Sequence, residues 1–85
     1  MKQTEQKRIL KLIEEHRDIQ HNRMNGRKYS VAEWLLILDD NVNELKKMWT
    51  NGDLENETLL MVLQVAVNAV AALEQNGVPG ERPIE

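Results

Sequence analysis

The feature that most constrains this 85-residue chain is a long apolar run in its C-terminal half. Between Leu59 and Leu73 the only polar residues are Gln64 and Asn68, so a helix formed by this run is apolar around nearly its whole circumference. Such a helix must be buried on several sides. Because one helical hairpin cannot cover it, we expect a second copy of the chain to do so.

The same run is short for a membrane span. It holds roughly 15 residues, whereas crossing the hydrocarbon region takes about 20, and two amides interrupt it. The charged N-terminal stretch also lacks the continuous apolar segment of a secretory signal. These patterns predict no membrane association and a cytoplasmic location.

Two amphipathic helices precede the apolar run. The first is predicted from Lys2 to about Arg23, with its apolar residues at intervals of three and four. Asn25 and Gly26 follow as helix breakers, and Ser30 and Glu33 fit a capping box at the start of the second helix. The two predicted apolar faces comprise Ile9, Leu12, Ile13 and Ile19 in the first helix, and Val31, Trp34, Leu35, Leu38, Val42, Leu45 and Met48 or Trp49 in the second.

The second helix keeps close to heptad spacing, which is typical of a helix-bundle seam. Gly52 is suited to the turn that ends it, and either Asn51 or Asp53 is a candidate cap for the third helix. The predicted fold is therefore all-α, a three-helix protomer that assembles into a helical-bundle homo-oligomer, either a dimer or a tetramer. We expect one domain over residues 1–77 and a flexible tail over residues 78–85.

Composition excludes several classes of function. There are 14 acidic residues against 11 basic ones, a formal charge of −3, so an excess of positive charge for nucleic acid is lacking. The chain has no cysteine, which rules out a disulfide framework and a thiolate nucleophile. Nucleic acid is therefore not an expected partner.

Two carboxylates on the second helix form a candidate metal site. Asp40 and Glu44 lie one turn apart, which lets both reach a common point. A hard cation such as Mg²⁺ prefers this arrangement, with water or phosphate oxygens completing its shell. The alternative is that the two residues only solvate an exposed face.

Amide and basic side chains supply further candidates. Gln64 and Asn68 are one turn apart on the apolar helix, and they either line a pocket or make an interhelical amide contact that fixes packing register. Arg23, Arg27 and Lys28 follow the first helix and could hold phosphate, although cations there also suit the negative end of the helix dipole.

The chain resembles the all-α nucleoside triphosphate pyrophosphohydrolases of the MazG-like type, particularly their short phage and bacterial forms. The resemblance spans roughly Ile13 to Gly77. It rests on the stretches "IEEHRDIQHNR", "YSVAEWLLILDDNVNEL" and "LQVAVNAVAALEQNG", which are similar to the three helices of that family.

The resemblance implies a magnesium site built from the motif E-E-x-x-E on the second helix and E-x-x-D on the third. In this chain Asp40, Asn41 and Glu44 fall on the first motif, and Met61 and Gln64 on the second. Only two of these five residues are acidic, so the resemblance implies nucleotide binding with feeble or no hydrolysis.

On this hypothesis the chain binds a nucleoside triphosphate. Asp40 and Glu44 would hold Mg²⁺, while a further set of side chains would contact the nucleotide. That set comprises Arg23, Lys28, Gln64 and Asn68. The alternative hypothesis is a small noncatalytic interaction protein that uses the same dimeric scaffold.

Overall fold

A computed structural model describes residues 2–52 and 54–80, with side chains from residue 4 onward. It contains three helices, α1 (Lys2–Met24), α2 (Val31–Thr50) and α3 (Glu55–Asn76), and no strand within those ranges. The predicted all-α, three-helix protomer is therefore confirmed, whereas the predicted assembly stays a prediction.

The ends of the helices follow local signals in the sequence. Ser30 Oγ accepts from the backbone N–H of Glu33, and the Glu33 carboxylate accepts from the N–H of Ser30, so the predicted capping box begins α2. Gly52, with φ of +78°, turns the chain after α2, a conformation that glycine adopts without steric penalty.

The predicted cap of the third helix is wrong for Asn51. This residue ends α2, and α3 instead begins after Leu54, which makes no side-chain cap bond. Asp53, the other candidate, lies outside the described residues. At the other end α3 stops at Asn76, and of the predicted tail only residues 78–80 are described, none of them helical.

Helix α3 is the centre of the protomer. It packs against both α1 and α2, whereas α1 and α2 are not direct neighbours of each other. Hydrogen bonds from Asn68 to Asn41 and from Trp34 to Gln75 show that α2 runs antiparallel to α3, because the residue numbers rise on one helix as they fall on the other. The small buried core consists of Trp34, Val67 and Ala71.

The predicted apolar face of α1 is wrong for three of its four residues. Ile9, Leu12 and Ile19 are exposed, whereas Ile13 is half-buried beside Val70 of α3. The residues of α1 that form hydrogen bonds or ion pairs with α3 lie on the same side of the helix as Ile13. Those residues are Arg17, Gln20 and Met24, whose partners on α3 are Glu74, Asn68 and Gln75. Contacts with polar side chains of α3 therefore turn a polar face of α1 toward α3, and the apolar residues Ile9, Leu12 and Ile19 stay exposed to solvent.

The length argument against a membrane span also needs correction. Helix α3 has 22 residues, and by length and composition it is apolar enough to cross a membrane, with only 17% of the tested window buried in the protomer. Its amides, however, hydrogen-bond to α1, to α2 and to the connection between them. Helix α3 therefore packs on α1 and α2, while much of its apolar surface is uncovered in the protomer.

The connection between α1 and α2 is fastened by Gln75 of α3. Its Oε1 accepts from the backbone N–H of Tyr29 at 2.8 Å and from the indole N–H of Trp34 at 3.0 Å. Its Nε2 donates to the carbonyl of Arg27 at 3.3 Å and contacts the sulfur of Met24 at 3.8 Å. One side chain therefore holds the end of α1, the loop and the start of α2 together.

Replacing Gln75 by alanine should lower the free energy of unfolding by about 2–4 kcal/mol, because a buried indole N–H and two loop groups lose their partner. Gln6→Ala is the matched control, since Gln6 is exposed on α1, and its effect should stay within about 0.5 kcal/mol. Urea unfolding followed by circular dichroism measures both. Equal stabilities of the two variants would contradict this role of Gln75.

Candidate functional site

Four amide side chains from three helices meet at Asn68. Its Oδ1 accepts from Gln20 Nε2 of α1 at 2.6 Å and from Gln64 Nε2 of α3 at 3.0 Å. Its Nδ2 donates to Asn41 Oδ1 of α2 at 2.6 Å. We call Gln20, Asn41, Gln64 and Asn68 the amide cluster. The interhelical amide contact, one of the two interpretations of Gln64 and Asn68, is thus present for Asn68, whereas the bond of Gln64 lies within α3.

The amide cluster lies inside the protomer. Asn68 is only 4% exposed, and the other three members are half-buried. Gln20 Oε1 is inaccessible to water and has no hydrogen-bond partner. A buried amide group that lacks a partner costs about 1–3 kcal/mol. Sliding one helix along another would break further bonds of the cluster and add this cost for each, so the cluster favours one register of the helices.

The candidate metal ligands lie outside this cluster. Asp40 and Glu44 are both exposed on α2, and the neighbouring residue that faces α3 is Asn41. Within the part of the chain that the structure describes, no group of three or more His, Cys, Asp or Glu side chains is placed to hold a metal ion. A Mg²⁺ ion at Asp40 and Glu44 would therefore depend on water or ligand oxygens for the rest of its shell, and the site stays a prediction.

Two members of the amide cluster are residues that the MazG-like resemblance aligns with acidic positions. On that alignment, which stays a prediction, Asn41 takes the second position of the motif on α2 and Gln64 the last position of the motif on α3. Each contacts Asn68 directly. An amide has nearly the shape of a carboxylate but no charge and can also donate, so Asn41 and Gln64 can both hydrogen-bond Asn68 where carboxylates would repel one another without a cation.

The basic candidates separate in the structure. Lys28 lines a cavity of about 200 Å³ at the C-terminal end of α1, whereas Arg23 is exposed and is not among the residues that line it. Gln64 and Asn68 lie in the amide cluster instead. The four predicted nucleotide contacts therefore do not line one common cavity.

Arg17 is a buried charge that the sequence analysis missed. It is 4% exposed, and its Nε lies 3.1 Å from Glu74 Oε2. Nε and Nη1 are both buried without a hydrogen-bond partner, so the contact with Glu74 is an ion pair and not a hydrogen bond. The sequence did carry a signal that Arg17 faces inward. It belongs to a helical stripe with intervals of four, three and four residues, formed by Ile13, Arg17, Gln20 and Met24.

Asn41 was also missed as a structural residue, since it was considered only as a family position. It is seven residues from the buried Trp34, which places it on the inner stripe of α2. Comparisons with family models, with curated proteins and with solved structures found no significant match for the chain. The resemblance to the MazG-like family therefore rests on the residues quoted above.

Replacing Asn68 by leucine should lower the free energy of unfolding by about 2–4 kcal/mol. Gln20, Asn41 and Gln64 would each lose a partner, and added apolar burial offsets only part of that loss. Asn56→Leu, an exposed site on the same helix, should change stability by no more than about 0.5 kcal/mol. If Asn68→Leu were as stable as the natural protein in urea titrations, the cluster would not be what fixes the helices.

Proposed function

We propose that this chain is a noncatalytic interaction protein that works as a homodimer on a MazG-like helical scaffold. The observation that supports the noncatalytic part is the amide cluster, because Asn41 and Gln64 are neutral, hydrogen-bonded side chains. On the proposed resemblance they stand where an active family member would have carboxylates. Amide oxygens can coordinate a cation, but they do not supply the negative charge that holds Mg²⁺ against a triphosphate.

The exposed area of the protomer supports the dimer. The chain exposes 7130 Å², whereas a compact monomer of 9.9 kDa is expected to expose about 5,200 Å². The excess of about 1,900 Å² is larger than the roughly 800 Å² that each partner contributes to a standard interface. Part of it lies in the first half of α1, where every residue from Thr4 to Leu12 is exposed.

A heptad stripe on α2 identifies the surface that a second copy would cover. We call this stripe the α2 seam; its spacing alternates between four and three residues along the whole helix. Its members are Val31, Leu35, Leu38, Val42, Leu45 and Trp49. Four of the six are exposed and the other two are half-buried, because α3 packs against the neighbouring stripe that contains Trp34 and Asn41.

Helix α3 continues this apolar surface. Leu59, Val62 and Leu73 are exposed along one side of α3, and Leu73 shares an apolar groove of about 270 Å³ with Val31 and Leu35 of the seam. Two such α2–α3 hairpins placed face to face would form a four-helix arrangement. In a symmetric dimer each hairpin covers the same surface on the other, so the α2 seam and the exposed side of α3 are not available to add further copies.

Leu35→Glu should convert the protein from dimer to monomer, because the charge would enter the centre of the interface. Leu36→Glu is the matched control: Leu36 is the next residue and is similarly exposed, 69% against 60%, but it points to another side of α2. Sedimentation equilibrium at micromolar concentration should give twice the 9.9 kDa chain mass for the natural protein and for Leu36→Glu. A monomeric natural protein would refute the proposal, as would dissociation by Leu36→Glu alone.

A second candidate function is Mg²⁺-dependent nucleotide binding. The observation that favours it is that Asp40 and Glu44 are both exposed, one turn apart on α2, and therefore accessible to a hydrated cation. On this hypothesis Mg²⁺ and a nucleoside triphosphate would stabilise the natural protein and not the Asp40→Asn, Glu44→Gln variant.

The noncatalytic proposal predicts no enzymatic release of pyrophosphate from nucleoside triphosphates in Mg²⁺ or Mn²⁺. It also predicts equal thermal shifts with Mg²⁺ for the natural protein and the double variant at fixed ionic strength, since two solvated carboxylates hold no ion firmly. Turnover on the order of 1 per second or faster would contradict the noncatalytic proposal. A larger thermal shift in the natural protein would favour the second candidate.

A further inference from the structure

The cavity of about 200 Å³ beside α1 lies apart from both the amide cluster and the α2 seam. It is bounded by the last turns of α1, by the connection to α2 and by the C-terminal part of α3. Basic side chains come from two of these elements: Arg17 and His21 from α1, and Arg27 and Lys28 from the connection. Among the residues that the structure describes, Glu74 is the one acidic residue of the lining.

The charge of this cavity is incompletely balanced. With histidine neutral, three cationic side chains face one carboxylate. Arg17 is the most deeply buried of the three cationic residues: it is 4% exposed, and its Nε and Nη1 lack hydrogen-bond partners. Buried donors without partners are unfavourable, but these two nitrogens are inaccessible to water, so an acceptor in the cavity could reach Nε only after the Glu74 carboxylate moves aside.

We propose that this cavity binds a small oxyanion group. Arg17 lies at the bottom of the cavity, and Arg27 and Lys28 lie at its rim. Guanidinium groups bind phosphate and carboxylate oxygens through several N–H donors at once, and an ammonium adds a compact charge. The cavity is smaller than the roughly 300–1,000 Å³ of sites for drug-sized ligands, which favours a single phosphate group over a whole nucleotide.

Glu74 is the internal competitor of such a ligand. Its carboxylate lies 3.1 Å from Arg17, yet its side chain is 52% exposed and can move into solvent. The fastening of the loop by Gln75 keeps Arg27 and Lys28 beside Arg17 in the absence of ligand. The alternative is that these cations only neutralise the negative end of the α1 dipole, in which case no ligand is needed.

Isothermal titration with orthophosphate, at constant ionic strength and without divalent cations, tests the proposal. We expect saturable binding to the natural protein. Lys28→Gln and Arg27→Gln should each weaken it roughly tenfold, the effect of losing one charge-assisted hydrogen bond. Glu74→Gln should strengthen it, because the competing carboxylate is gone. Lys46→Gln, which removes an exposed charge from α2 away from the cavity, should leave it unchanged.

The opposite directions expected for Glu74→Gln and Lys28→Gln distinguish a ligand site from a structural role. Pyrophosphate and ADP, titrated in parallel, distinguish the sources of the group: binding of ADP but not of orthophosphate would overturn the assignment to a single oxyanion group. Absence of saturable binding, or equal weakening by Lys28→Gln and Lys46→Gln, would overturn the site itself. None of these residues belongs to the α2 seam, so sedimentation of each variant separates this outcome from failure of the dimer.

Discussion

The hydrogen bonds of Asn68 are the constraint on which the rest of this structure depends. The backbones of α1 and α2 do not approach each other closely, whereas both pack against α3, so their relative placement is set mainly through α3. Asn68 accepts from Gln20 on one side and donates to Asn41 on the other, which links both outer helices to one buried side chain. Apolar packing alone would tolerate sliding along α3, whereas a buried amide that loses its partners is destabilised at once.

This polar link determines which surfaces remain free. Because Gln20 and Arg17 turn toward α3, the apolar stripe of Ile9, Leu12 and Ile19 faces outward. Because Asn41 and Trp34 turn toward α3, the α2 seam also faces outward. Polar contacts therefore fix the arrangement of the three helices, while apolar stripes on α1 and α2 stay exposed. These exposed stripes are the physical basis for proposing that the protomer functions as part of an assembly.

The sequence predicted the helices well and their faces less well. The capping box at Ser30 and the glycine after α2 are local signals, and both act as expected. The inward face of α1 was misassigned because hydrophobic periodicity assumes that apolar residues face the protomer's own core. Here a polar face has polar partners 48 and more residues away in the sequence, which no local pattern records.

The candidate site was predictable only in part. The buried amides Gln64 and Asn68 could be identified because they interrupt an apolar run, but their partner Asn41 lies in another apolar pattern, where it resembled a lost metal ligand. The cavity around Arg17 combines α1, a loop and the end of α3, and its charge balance depends on Glu74, a long-range pairing. Such combinations follow from the packing of the helices and become visible only with it.

The central claim is that folding of the protomer is completed by a second copy. The most direct measurement is the thermal unfolding midpoint as a function of protein concentration, followed by circular dichroism over about a hundredfold range. A dimer that dissociates on unfolding is stabilised by mass action, so the midpoint should rise steadily with concentration. A midpoint independent of concentration, together with a monomeric mass, would show that the exposed stripes are tolerated by the protomer alone and would contradict the account.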